Sequence, residues 1–333
     1  MSGFSTRCES PLAADAIVSG DALVPGSARV AKLVVIGVGL IGGSFALALR
    51  AAQRVGTVVG IGRGQANLDA ALKLGVADRV VRLDQDWVAE LPDADLVLVA
   101  APVAQYPSLF AAMAGHVGPL TIITDAGSTK QDVIAAARAA LGPALRRFVP
   151  GHPIAGTEHS GAAAAFSTLF QNRNVVLTPS SETDPEATAL VGALWAACGS
   201  RVRLLDAAAH DRVFAAVSHL PHLLAFGLVE ALAARGDAED IFRFAASGFR
   251  DFTRIAASSP EMWRDISLAN RDALLAEVAA YRDQLDRLAA LIAGGDSDAL
   301  EAVFARARTA RRDWESRYNP KAATVPADGP REP

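Results

Sequence analysis

The sequence predicts an α/β protein, an N-terminal Rossmann-like doubly wound parallel sheet followed by an all-α helical domain. Three observations predict it. Short β-branched runs alternate with Ala-rich helical stretches as far as about residue 206, a glycine-rich turn follows the first run, and from Ala207 to about Arg317 apolar residues recur at spacings of three and four with no further strand signal. A chain of 333 residues exceeds what one core usually serves, so two domains are expected, 31–206 and 207–318. Residues 1–30 read as a mobile tail and 319–333 as a flexible, Pro-rich one.

The elements follow in order. "KLVVIG" precedes a helix over 43–53, "TVVGIG" one over 66–74, "LVLVAA" one over 105–115 and "LTIITDAG" one over 130–141. Strands that need helices on both faces read as unbroken apolar runs, as these do. After "RRFVPGHPIAG" come a strand "NVVLTP", a helix from Pro185 to Cys198 and a strand "RVRLLD". In "GGDSDAL" (294–300) one helix ends and the next begins, with Asp296 or Ser297 as the capping acceptor.

Composition excludes several classes of function. The net charge of −4 and the lack of basic runs interleaved with aromatics argue against nucleic acid as a partner. The uncharged stretch between Lys32 and Arg50 approaches membrane-span length, but it holds five glycines or serines and changes from strand-like to helix-like, so no membrane partner is expected. Cys8 and Cys198 are too few and too far apart for a disulfide framework or a thiolate metal site, and the first thirty residues, with Glu9, Asp15 and Asp21, lack the apolar segment of a leader. A cytoplasmic protein is expected.

Gly37, Gly39 and Gly42 in "VVIGVGLIGGS" form G-x-G-x-x-G between strand and helix. With Leu40 and Ile41 they read as a dinucleotide cradle: a tight turn, a backbone approach to the pyrophosphate, and a helix N-terminus facing the anion. An NAD site usually places an acid about 20 residues onward, at the end of the second strand. Here Gly62 stands at that place and Arg63 beside it, which favours NADP over NAD because a guanidinium can pair with a 2′-phosphate. A merely solvated Arg63 is the alternative.

Five further stretches put polar residues where a core would not want them: "TDAGSTK" (124–130), "GHPIAGTEHSG" (151–161), "HDR" (210–212), "SHLPH" (218–222) and "GFRDFTRIAASSPEMWRDI" (248–266). Together with the glycine turn they resemble, in order and from about Lys32 to Tyr318, the prephenate/arogenate dehydrogenase family of tyrosine biosynthesis. The resemblance implies oxidative decarboxylation of prephenate or arogenate with hydride transfer to NADP or NAD, and a homodimer formed through the helical domain. It implies His152 as acceptor of the ring hydroxyl proton, Ser128 as its partner, and Arg254 as the anchor of a substrate carboxylate. It further implies His219 and His222 lining the substrate site, with Thr157 and Glu158 at its entrance.

Bland readings stand beside these. His152 could be a loop histidine bonded to backbone, Ser128 and Asp211 helix N-caps, and Glu158 a solvated surface charge. Arg254 could pair with Asp251 on a helix surface, and Arg250 is a less favoured carboxylate anchor. Asp211 is expected to support the site from behind. His159 receives no role, and Met262, Trp263 and Ile266 are assigned to packing. A zinc site from His152, His219 and His222 is not expected: no thiolate is near and Pro221 disturbs the helix face, so no metal is assigned. A β-hydroxyacid or 6-phosphogluconate-type dehydrogenase is the alternative enzyme, disfavoured because no lysine lies between Lys130 and Lys321. A non-catalytic NADP-sensing protein is the third reading.

Overall fold

The computed structural model describes residues 28–157 and 159–318, so the expected tails up to residue 27 and from residue 319, and Glu158, lie outside the described residues. The first part of the chain runs β1 (Val30–Ile36), α1 (Leu40–Ala51), β2 (Val55–Gly62), α2 (Gln65–Lys73), β3 (Arg79–Arg82), β4 (Leu96–Val99), α3 (Tyr106–Met113), β5 (Ile122–Asp125), α4 (Gln131–Ala140) and β6 (Phe148–Val149). Its six strands are all parallel, in the order β3-β2-β1-β4-β5-β6. Strand order reverses between β1 and β4, which opens a crevice above their carboxyl ends. A second sheet combines β7 (Gly151–Pro153), β8 (Asn174–Leu177) and, after α5 (Pro185–Ala197), β9 (Arg201–Leu204), with β7 antiparallel to β8.

Alternation along the central strands explains why they form. Leu33 and Val35 of β1 with Leu96 and Leu98 of β4 enter one core, beside Phe45, Phe170 and Trp195. Val34, Ile36, Val97 and Val99 enter the other, beside Tyr106, Phe110 and Phe148. Both faces are therefore dry, as a parallel sheet requires. Trp195 fixes one side through ring contacts with Phe45 at 4.4 Å and Phe170 at 5.0 Å.

Three strands lie outside the sequence expectation: β3, β6 and β7. The first is an edge strand with an arginine at each end, and the other two span two and three residues around Pro150. Such short segments show no readable period. The correction matters at His152, which sits in β7 opposite Val176 rather than in a loop, and at Ser128, which follows the fifth strand rather than the fourth.

The helical part runs α6 (Ala207–Phe214), a π turn (Ala215–His219), α7 (Leu220–Ala233), α8 (Ala238–Arg243), α9 (Ser247–Thr253), a 3-10 turn (Arg254–Ala257), α10 (Pro260–Ala269), α11 (Arg271–Ala293) and α12 (Ser297–Tyr318). The chain divides into two compact units, one up to Leu274 and one from Leu275. In the second, Asp296 rather than Ser297 accepts from Ala299 N at 3.0 Å at the start of α12. By length and composition the helical stretch Ala207–Ala233 could cross a membrane, but His210 and Asp211 within it are buried, and Asp211 bonds to the start of α4.

The glycine turn is dictated by space. Gly37 has φ +101°, and a Cβ there would stand 2.4 Å from Ala100 O, while one on Gly42 would stand 2.4 Å from Gly37 O. Gly37→Ala is expected to lower unfolding stability by about 1–3 kcal/mol in urea titrations, through left-handed strain plus backbone overlap. An unchanged midpoint would refute this account of the turn.

Candidate active site

At the carboxyl ends of β1 and β4, the residues present fit a dinucleotide. The N-cap of α1 is Gly39, with no side-chain cap and no acid in the first turn. The N–H groups that open the helix are therefore free of the usual side-chain acceptor. Space above Gly39 is open, since a Cβ there would meet nothing within 4 Å. An anion approaching that backbone finds donors and no obstruction. Gly62 closes β2 against Leu68, and Arg63 follows it, exposed and without an ion pair among the described residues. Asn67, unremarked in the sequence, braces the turn: its amide nitrogen donates to Val38 O at 2.6 Å and its oxygen accepts from Ala162 N at 2.7 Å.

The second component is built at the end of β5. Asp125 and Lys130 are fully buried and paired. Asp125 also accepts from Gly127 N at 2.8 Å and Gly151 N at 2.9 Å, and Lys130 Nζ donates to Gly151 O at 2.7 Å. Every bond of this pair to Gly151 fixes the residue just before His152. The imidazole of His152 is half-buried, packs on Phe214 at 4.8 Å, and has its Nδ1 2.9 Å from His210 Nε2. Burial holds its pKa well below 6.5, and the Lys130 ammonium and the neighbouring imidazoles of His210 and His219 lower it further. Among the described residues the bond that orients His152 comes from His210 and not from Ser128, which is half-buried between Asp125 and Lys130 in sequence.

Asp211 is not the cap of its own helix. That role belongs to Asp206, which accepts from Ala208 N and Ala209 N. Asp211 caps α4 instead, taking Lys130 N at 2.8 Å and Gln131 N at 2.9 Å, so the N-cap reading of Ser128 also falls. Burial alone would raise the Asp211 carboxyl, but the bonds from His210, Gln131 and Lys130 hold it below its ordinary value.

A third component lies on the π turn and α10. Leu220 N reaches back to Ala215 O, a widened turn that keeps the helix continuous into Pro221. His219 is buried, and its Nδ1 lies 3.1 Å from Asn270 Nδ2, which also donates to Asp211 O at 2.8 Å. A carbonyl can only accept, which fixes the Asn270 amide as donor and puts the proton of neutral His219 on Nε2. That Nε2 and the Nε1 of Trp263 are buried donors without partners among the described residues. Trp263 is more than packing: it stacks on His222 at 3.5 Å, whereas Ile266 is core and Met262 is exposed. Burial lowers the His222 pKa, and the Arg254 guanidinium lowers it further. Arg254 is exposed in the 3-10 turn, and Thr157 is exposed and accepts from His159 N at 3.2 Å.

Burial pushes His219 down to about 4, far below an unfolded histidine. The folded state thus binds fewer protons than the unfolded state between about pH 4 and 6.5, so stability is full above that window and declines as pH falls through it. His219 alone contributes up to about 3 kcal/mol of that decline. His219→Phe is expected to flatten the acid slope of the urea midpoint, and identical slopes in both proteins would refute the buried neutral state.

Comparison with known proteins agrees with this architecture. Residues 45–204 match the family model of the prephenate dehydrogenase nucleotide-binding domain, and residues 206–306 match that of its dimerization domain. The chain is similar to a cyclohexadienyl dehydrogenase of Zymomonas mobilis, 38% identical over 84% of this chain and 94% of that protein. It is 37% identical to a prephenate dehydrogenase of Bacillus subtilis over 84% of this chain and 75% of that protein. The solved prephenate dehydrogenase of A. aeolicus, in complex with hydroxyphenyl propionate and NAD+, superposes with a TM-score of 0.79 at 33% identity, covering 85% of this chain and 98% of that one. With residues 45–204 and 206–306 both matched, and a relative 38% identical over most of its length, the chain belongs to the prephenate dehydrogenase family.

Proposed function

We propose that this dehydrogenase carries out the NAD(P)-dependent oxidative decarboxylation of prephenate, arogenate or both, with His152 as acceptor of the ring hydroxyl proton. The observation that carries the reading is His152 itself: an imidazole kept unprotonated by burial and by Lys130, and held beside the end of β5 by the bonds of Asp125 and Lys130 to Gly151. Bound NAD(P) supplies the hydride acceptor, and loss of CO2 restores aromaticity to the ring. The chain's own part is to position and to exchange a proton. His152 takes the hydroxyl proton, with Ser128 beside the same oxygen. Arg254 offers the planar fork suited to a carboxylate, and the unpartnered donors of His219 and Trp263 suit an acceptor oxygen of the substrate. His222, Thr157, Glu158 and Asp211 complete the set of site residues.

Arg63, exposed at the end of β2 without an acid beside it, supports a preference for NADP. The match to a dimerization domain, together with exposed Leu285, Ile292, Phe304 and Trp314, supports a homodimer through the helical part. Cys198, a free and buried thiol, suits a reducing cytoplasm.

Incubation with prephenate and NADP or NAD is expected to yield reduced cofactor and CO2, and His152→Asn is expected to lower kcat by about 10²–10⁴-fold while dinucleotide binding persists. Full turnover by that variant would overturn the assignment. Crossing prephenate and arogenate against both cofactors decides the substrate. Arg63→Ala is expected to weaken NADP binding about tenfold or more with little effect on NAD, since one charge-assisted phosphate pair is lost. Unchanged NADP affinity would remove the argument for NADP.

A further inference from the structure

We infer that Asp211 and His210 are positioning residues that dictate which nitrogen of His152 carries the proton, leaving its Nε2 as the sole free acceptor; this rests on the reading of His152 as proton acceptor. The inference follows from counting donors. The Asp211 carboxylate receives Lys130 N at 2.8 Å, Gln131 N at 2.9 Å, Gln131 Nε2 at 3.2 Å and His210 Nδ1 at 2.8 Å. A carboxylate met by two backbone N–H groups at a helix N-terminus is held ionised and can only accept, so the proton of that last contact belongs to His210 Nδ1. His210 is completely buried and neutral, with one proton to place, so its Nε2 carries the lone pair. That nitrogen faces His152 Nδ1 at 2.9 Å. Two lone pairs cannot share such a contact, and His152 must therefore be protonated on Nδ1.

The same chain answers an energetic difficulty. His152 is faced by the neutral rings of His210 on α6 and His219 on the π turn and by Lys130 at the start of α4, with Asp125 behind Lys130, and burial together with the Lys130 ammonium disfavours an imidazolium. When a substrate O–H bond breaks, the electron pair stays on oxygen and an Nε2–H bond forms on His152. The new charge is then relayed through the Nδ1–H bond to His210 and compensated by Asp211, which reaches His152 only through that ring. Asp211 comes from the helical part and caps a helix of the sheet part, so the charge behind the base is anchored in both.

The test is 15N spectroscopy of the full-length protein carrying labelled histidine, with six histidines to resolve and His152→Asn to assign the signal. At neutral pH His152 is expected to show a protonated Nδ1 and an unprotonated Nε2. A proton on Nε2 would overturn the inference, even if His152→Asn is inactive and the base assignment stands. If His152→Asn is active, the base assignment fails, whatever the spectrum shows. In His210→Phe, kcat is expected to fall about a hundredfold with KM little changed, and His210→Gln, whose carbonyl can accept from Nδ1, is expected to recover about tenfold. Wild-type kcat in a folded His210→Phe would also overturn the inference, and should that variant not fold, the wild-type spectrum decides alone.

Discussion

The buried ion pair of Asp125 and Lys130 is the interaction on which the site depends. Two charges with no exposure cost far more than they return unless every lone pair and proton is engaged. Here both Asp125 oxygens are engaged by Gly127 N, Gly151 N and Lys130, and the ammonium also finds Gly151 O. Those bonds tie the end of β5, the loop leading into α4 and the first residue of β7 into one knot. The strand carrying His152 spans three residues and pairs with β8 alone, too little to hold it. The ion pair makes its position a property of the main sheet.

Electrostatically the knot also sets the tone of its surroundings. Burial keeps this group of imidazoles neutral, the fixed ammonium adding to it at His152 and His210, and neutral imidazoles divide into donors and acceptors according to their partners. Asn270 leaves His219 a donor, whereas the acceptor nitrogen of His210 makes His152 a donor on one side and an acceptor on the other. Residues of one type thus offer opposite faces to a ligand. Polar roles here are assigned by second neighbours as much as by the side chains themselves.

The sequence was legible where geometry is local. Glycines at fixed offsets after an apolar run describe a turn whose steric demands are all nearby, and the alternation of central strands follows from burial on both faces. Lys130 was visible only as the last lysine before a long gap, because its partner across the sheet end depends on β7, whose three residues have no period to read. Adjacent His210 and Asp211 looked like the opening of a helix, since neighbours one apart on a helix do not usually face each other. Their meaning appears only once α4 presents its free N–H groups to Asp211. Trp263 had the spacing of a core residue, and Ile266 one turn on is indeed core, but the stacking on His222 depends on α7 and α10 meeting.

The carboxamide of Asn67 spans two segments more than a hundred residues apart in sequence, holding Val38 O with one end and Ala162 N with the other. A rigid planar group about two ångströms across cannot follow both if they separate. Whatever shifts the stretch after Gly161 therefore strains or breaks a bond to the cradle turn, and the reverse holds equally. The geometry of the cradle turn is thus tied, through one side chain, to the segment that follows Gly161.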